Sequence, residues 1–299
     1  MQRRLFLRNT SLVLGALALS RGSSLAGLLA DPAYKIKMLT ETIGIFSEKG
    51  GTILFMLSGE GTVIVDAQFP ETSAHLIEEI KKKTAQPFRL LINTHHHRDH
   101  TAGNIAYKDL VLHVLAHENS KRNQENNAIQ LKTTGEQLYP DQVFKDTWCE
   151  TAGKEKICLH HFGAGHTNGD SIVHFEKSGI VHMGDLVFNR RHPYVDTSAG
   201  ASISNWISLL DTTASRFPGN TIYVCGHAGT GYDVVLKKED VLAFRGYLQN
   251  VMTFTEAAIK TGMTKEEILK ATMIPGSPDW QGDGIERPLS AAYEELTRG

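Results

Sequence analysis

The stretch Thr94-His95-His96-His97-Arg98-Asp99-His100 follows closely on Phe88-Arg89-Leu90-Leu91-Ile92, and together the two segments decide how the chain is read. The first to arrive, residues 88–92, is a short apolar run with strand character, so the histidines fall at a strand's C-terminal end. Four side chains able to ligate a metal, His95, His97, Asp99 and His100, lie within six residues. Alternate residues of an extended backbone point to one side, which puts His95 and His97 together and sends His96 the other way. His96 is therefore expected to pack behind the cluster rather than to ligate.

Working outward, residues 36–69 alternate apolar and polar side chains between Gly-bearing turns, the pattern of a strand meander. Residues 71–83 have helical spacing, with Leu76, Ile77 and Ile80 on one stripe and lysines closing the C-terminal end. Thr101 is placed to cap a new helix. Further strands are expected at 111–115, 143–149, 156–162, 171–175, 180–183 and 221–225, helices at 203–217 and 239–261, and a capping box at Thr264-Lys265-Glu266-Glu267. Residues 118–127 read as a surface helix or loop. No linker, low-complexity tract or repeat interrupts the series, so one layered α/β domain with helices outside two central sheets is the economical architecture.

Three more ligand-type residues close predicted strands or loops: His166 in Gly163-Ala164-Gly165-His166-Thr167, Asp185 in Met183-Gly184-Asp185, and His227 in Cys225-Gly226-His227-Ala228-Gly229. A glycine precedes each one, which lets the backbone turn sharply and approach a shared site. Taken in order, H-x-H-x-D-H, then H, then D, then H, the set resembles the metallo-β-lactamase superfamily over nearly all of the chain. The resemblance implies a four-layer αβ/βα sandwich, with two central mixed β-sheets flanked by helices and residues 27–299 as its single domain. It also implies one metal on His95, His97 and His166, a second on Asp99, His100 and His227, and Asp185 bridging the two. Two Zn²⁺ per chain are expected, although such ligands also accept iron or manganese.

The implied chemistry is hydrolysis of an ester, thioester, lactone or amide in a small-molecule substrate. Two metals about 3.5 to 4 Å apart bring a shared water's pKa near neutrality, and Asp99 would orient the resulting hydroxide. The first alternative is a class B β-lactamase, although no Lys or Ser beside a ligand marks a clamp for the β-lactam carboxylate. A second is a mononuclear-iron oxidoreductase resembling the sulfur dioxygenases, and a third is a metal-binding protein without catalysis. Hydroxyacylglutathione hydrolases share all seven ligand types, but their C-terminal basic cluster is not evident here. RNA processing is disfavoured because residues 166–227 leave no room for an inserted domain.

Composition agrees with an ordinary globular protein. The chain has 299 residues, 41% hydrophobic and 21% charged, and 31 basic residues against 33 acidic give a net charge of -2, so nucleic acid is an unsuitable partner. Arg3, Arg4 and Arg8 precede a short apolar run at residues 11–19, then Arg21 and the small-x-small site Ser24-Leu25-Ala26, the pattern of a signal peptide over residues 1–26. Its start resembles a twin-arginine export signal, which predicts a periplasmic or secreted protein with no stable membrane insertion after cleavage.

Cys149 and Cys158 flank a turn at Thr151-Ala152-Gly153-Lys154 and are positioned to pair across a hairpin, but a chain of this size needs no staples and free thiols are expected. Cys225 reads as a buried strand residue. His75, His113, His117, His160, His161, His174 and His182 lack a second ligand at chelating spacing and are expected to be structural. Arg191 and His192, in Asn189-Arg190-Arg191-His192-Pro193-Tyr194, stand close after Asp185 and are candidates for gripping an anionic substrate. Trp280 is expected to be buried in the core rather than to form a tail that packs on the domain.

Overall fold

The protein is described by a computed structural model covering residues 34–298. The export signal expected at residues 1–26 lies outside the described residues. The first sheet runs in strict chain order: β1 (Lys35–Met38), β2 (Ile43–Ser47), β3 (Ile53–Ser58), β4 (Gly61–Val65), β5 (Phe88–Asn93), β6 (Val111–His117) and β7 (Gln142–Phe144). β2 to β4 are antiparallel hairpins, whereas β4 to β7 are parallel. Parallel pairing needs crossovers, supplied by helix α1 (Pro70–Lys81), the short α2 (Arg98–Thr101) with the 3-10 turn after it, and α3 (Glu118–Leu131).

The second sheet is built from β8 (Thr147–Ala152), β9 (Glu155–His160), β10 (Ile172–Phe175) and β11 (Ile180–His182). The chain then leaves through β12 (Phe188–Asn189) and α4 (Ile203–Arg216), and returns through β13 (Ile222–Val224), β14 (His227–Ala228) and β15 (Val235–Leu236). Its strand order is β15-β13-β11-β10-β9-β8, while β12 and β14 pair separately in parallel. Helices α5 (Lys238–Lys260), α6 (Lys265–Ile268) and α7 (Glu286–Thr297) complete the fold. The two mixed sheets flanked by helices are the α/β sandwich that the sequence led us to expect.

The alternation of the strands explains the layers. Leu54, Met56, Val63, Val65, Leu90 and Ile92 of the first sheet meet Ile157, Leu159, Val173 and Phe175 of the second in one core. Their neighbours Ile53, Phe55, Ile64 and Leu91 are equally buried, so the first sheet is covered on both faces. Val181 and Tyr223, on the other face of the second sheet, belong to a separate core with Trp206, Leu210, Phe244, Leu248 and Leu289 from the helices. Trp280 is buried in this second core, as predicted.

Three local expectations are corrected. Residues 143–149 form not one strand but two, because the chain breaks at Lys145 and Asp146 to cross from the first sheet to the second. Thr101 stands at the N-cap of the 3-10 turn Ala102–Tyr107, but its side chain makes no capping hydrogen bond there. The His-rich loop itself makes the first turn of α2, with His97 at its N-cap and the Thr101 hydroxyl donating back to the His97 carbonyl. Cys149 and Cys158 form a disulfide, since the β8–β9 register sets them directly opposite each other, Cα atoms 4.2 Å apart. Chain size carries no information about that register. Among the described residues, no helix is long and apolar enough to cross a membrane.

Candidate metal centre

All seven predicted ligand residues converge at one end of the sheets. β5 delivers His95, α2 carries Asp99 and His100 in its single turn, the β9–β10 loop supplies His166, and the 3-10 turn after β11 holds Asp185. His227 lies in β14, opposite Phe188 of β12. Two glycines make this approach attainable. Gly184 adopts φ 51°, a left-handed conformation that aims the Asp185 turn inward, and a Cβ on Gly226 would stand 2.0 Å from Asp185 Oδ1.

The ligand-type atoms include two adjoining groups, His95–His97–His166 and Asp99–His100–His227, linked by His95–His100–Asp185 and backed by His96–His97–Asp196, each with its atoms within 4.8 Å of one another. In the first, His97 Nδ1 is 3.1 Å from His95 Nε2 and 2.8 Å from His166 Nε2. In the second, Asp99 Oδ2 is 3.0 Å from His227 Nε2 and 3.8 Å from His100 Nε2. Asp185 stands between them: Oδ1 is 3.2 Å from His100 Nε2, and Oδ2 is 3.6 Å from His166 Nε2 and 3.5 Å from His227 Nε2.

The far sides of the rings decide what the near sides can do. Thr94 Oγ1 gives its only proton to Asp66 Oδ2, so it must accept from His95 Nδ1. His97 Nε2 donates to Asp196 Oδ2 at 2.8 Å, and His166 Nδ1 donates to the Tyr194 carbonyl at 2.7 Å. A ring bonded in this way has its Nδ1–H or Nε2–H turned outward, which leaves His95 Nε2, His97 Nδ1 and His166 Nε2 facing one another. In the neutral rings their three lone pairs repel one another at such distances and call for a cation among them.

The second group follows the same logic. His100 Nδ1 donates to Asp66 Oδ2 at 2.8 Å, which turns Nε2 toward Asp185 and Asp99. Buried His100 Nε2 and Asp185 Oδ1 lie 3.2 Å apart, yet neither has a partner in hydrogen-bonding geometry, as donors set to hold a cation would be. The donor set, imidazole and carboxylate without thiolate, suits zinc and also iron or manganese.

Electrostatics reinforce the picture for His95 and His166, whereas the carboxylates around His100 favour a proton on it that a metal would displace. Burial and then the neighbouring imidazoles push His95 far below the usual histidine range, and burial with His97 takes His166 down to about 3. Both therefore stay neutral, as ligands must. Burial opposes the charge of His100, yet Asp185, Asp66 and Asp99 together outweigh it and raise its pKa well above normal. Burial likewise works against the Asp99 carboxylate, but His100 and His227 hold it down to about 2. Asp185 is held well below the carboxylate range by His227 and His100 against the same cost of burial.

The outer residues divide clearly. His96 faces Asp196 at 3.6 Å, behind the cluster as expected. His182 bridges the sheets structurally, its Nε2 donating to the Thr52 carbonyl and its Nδ1 accepting from the Gly184 amide. Arg191 and His192 both line the cavity above the centre; Arg191 is exposed, whereas His192 is only 4% exposed and its Nδ1 is bound to the Tyr247 hydroxyl at 2.7 Å. Sequence reasoning missed Asp66, Asp196 and Arg287. An acidic residue directly ending an apolar strand, Val65-Asp66, was a usable signal for the first; Asp196 and Arg287 had none.

Comparison with known proteins agrees with this geometry. The family model of the Metallo-beta-lactamase superfamily matches residues 48–227. A probable hydroxyacylglutathione hydrolase of Schizosaccharomyces pombe is 25% identical over 173 residues, 57% of this chain and 60% of that protein. Among solved structures, a metallo-beta-lactamase from Pontibacter korlensis superposes with a TM-score of 0.61 at 21% identity, covering 73% of this chain and 99% of its own. The sec-alkylsulfatase Pisa1 from Pseudomonas sp. gives 0.71 at 13% identity, over 88% of this chain and 50% of its own. The fold, the seven converging side chains and the match across more than half of the sequence place this chain in the metallo-beta-lactamase superfamily, to which it belongs.

Proposed function

We propose that the protein is a dinuclear zinc hydrolase that cleaves an ester, thioester, lactone or amide bond in a small molecule. The observation that carries this reading is the convergence of three imidazole lone pairs, fixed from behind, beside a second group that shares Asp185. His95, His97 and His166 would hold one cation, Asp99, His100 and His227 the other, and Asp185 both. Such a pair supplies Lewis acidity and a water acidic enough to ionise near neutral pH. The remaining work falls to the chain. Asp99, ionised and partly exposed to the cavity, orients the attacking water and accepts its proton. Asp66, Thr94, Asp196 and the Tyr194 carbonyl keep each ring in the tautomer that faces its lone pair inward.

Among scissile bonds the thioester stands first, because the curated relative is a probable hydroxyacylglutathione hydrolase. Similarity to lactamase structures at 21% identity supports the fold alone, which leaves the class B β-lactamase as the alternative. We also propose that residues 1–26 direct export of the folded protein. Elemental analysis of protein exported by its own host, with a hydrolysis panel of thioesters, esters, lactones and β-lactams, tests the reading. Two zincs per chain with turnover support it. One iron without hydrolysis points to the dioxygenase-like alternative, and protein free of metal at neutral pH overturns the assignment.

A further inference from the structure

The loop after β12 contains two successive arginines with opposite fates. Arg190, held at φ 53°, turns inward: its guanidinium lies over the Trp280 ring at 4.6 Å, and its nitrogens come within 3.9 Å of Asp240 and 3.7 Å of Asp279. Two residues on, His192 is fastened to the Tyr247 hydroxyl, and Tyr247 stacks on Trp280 at 4.8 Å. With its neighbours on either side tied into the C-terminal segment, Arg191 is left exposed at the cavity above the metal centre. It makes no hydrogen bond or ion pair among the described residues. The same C-terminal segment leads into α7, whose Arg287 lines the same cavity of about 290 Å³. Arg287's nearest acidic partner is the adjacent Glu286, 3.8 Å away, with both side chains about half exposed.

From this arrangement we infer that the substrate is an anion whose oxyanion group, remote from the bond cleaved, is gripped by Arg191 and Arg287. The inference rests on the hydrolase reading proposed above and narrows its substrate class. Two arguments carry it. Guanidinium groups present forked N–H donors matched to a carboxylate or related oxyanion, and these two leave theirs unspent at the mouth of a functional cavity. Glu286 meets Arg287 only at 3.8 Å with both side chains half exposed, and the acidic residues of the cavity itself, Asp99 and Asp185, stand among the candidate metal ligands. Arg287 lies beyond residues 48–227, the stretch matched by the family, so the second arm of the clamp comes from a segment outside that common region.

The test uses metal-loaded protein and two probes. The first is a pair of p-nitrophenyl esters matched except for charge, the glutarate monoester and the butyrate ester. The second is glutarate itself, titrated calorimetrically. Arg191→Ala and Arg287→Ala should each lower the preference for the glutarate ester, read as the ratio of kcat/KM values, by roughly three- to tenfold and weaken glutarate binding by a similar factor. Arg287→Lys should recover part of both, and zinc content should stay at the wild-type level. Unchanged ester preference and unchanged glutarate affinity in the two alanine variants would overturn the inference and leave the hydrolase reading standing. Failure of the wild type to cleave either ester, with glutarate binding still dependent on the arginines, would do the reverse.

Discussion

Asp66 offers the sharpest test of the claim that the centre is assembled from behind. It is fully buried, sits at a left-handed φ of 65°, and accepts three hydrogen bonds: from the Thr94 amide on Oδ1, and from Thr94 Oγ1 and His100 Nδ1 on Oδ2, all at 2.8 Å. Asp66→Asn keeps the shape and replaces one acceptor by a donor. If the amide nitrogen takes the Oδ1 position, it opposes the Thr94 N–H and leaves a buried backbone donor unmatched, a cost of about 1–3 kcal/mol. If it takes the Oδ2 position, His100 must move its proton to Nε2 and loses the lone pair that faces the site. The first outcome displaces Thr94 and through it His95, whereas the second perturbs His100 directly and His95 through Thr94. Losses of this kind weaken metal binding about 10- to 100-fold, or about 1.4–2.7 kcal/mol. Competitive titration against a chromophoric chelator, with far-UV circular dichroism to confirm the fold, measures both site affinities. A variant that folds normally and binds two zincs within twofold of wild type would refute the tautomer argument.

The remaining predictions are smaller in scope. Asp99→Asn should retain the fold and lose at least about a hundredfold in kcat toward any substrate found, and full activity would contradict its role in orienting water. Gly226→Ala, whose new Cβ would stand 2.0 Å from Asp185 Oδ1, should lower zinc content and cost about 1–3 kcal/mol of stability; unchanged stoichiometry by elemental analysis would count against the placement of Asp185. Reduction of the Cys149–Cys158 disulfide, which closes a loop of sequence separation 9, should lower unfolding free energy in denaturant titrations by about 3 kcal/mol, and an unaltered midpoint would mean that the hairpin holds without it. Acid should destabilise the protein. Burial lowers His117 and His160 to about 4, and His174 and His182 also fall below the usual value. Below about pH 6.5 the unfolded chain therefore binds protons that the folded chain refuses, His117 and His160 until about pH 4, and stability drops across that window. Asp170, pushed up to about 7 by burial, runs in the opposite direction but is one group against four. A Tm that stays level or rises from pH 6.5 to pH 4 would contradict this.

The strands and helices were legible wherever burial imposes a pattern. β3 and β4 run continuously apolar because the first sheet is covered on both faces, and α4 repeats its apolar stripe, so their side-chain patterns report their surroundings. Legibility failed where the local pattern was continuous but the tertiary path was not. Residues 143–149 keep strand character throughout, yet the change of sheet at Lys145 and Asp146 leaves no local trace. The disulfide was misjudged for a similar reason, because pairing depends on register across β8 and β9 rather than on chain size.

The amino-acid order alone determined which seven side chains are of metal-binding type, because ligand chemistry belongs to residue identity and the first four share one short loop. Only folding decided how they are armed. The contacts that fix the tautomers span 34 residues from Asp66 to His100, 99 from His97 to Asp196 and 28 from His166 to the Tyr194 carbonyl. The two arginines over the site come from a loop and a helix almost a hundred positions apart, 191 and 287. Hydrogen bonds and charge act over a few ångströms of space, and no periodicity along the chain encodes which distant carboxylate or guanidinium will arrive within that range.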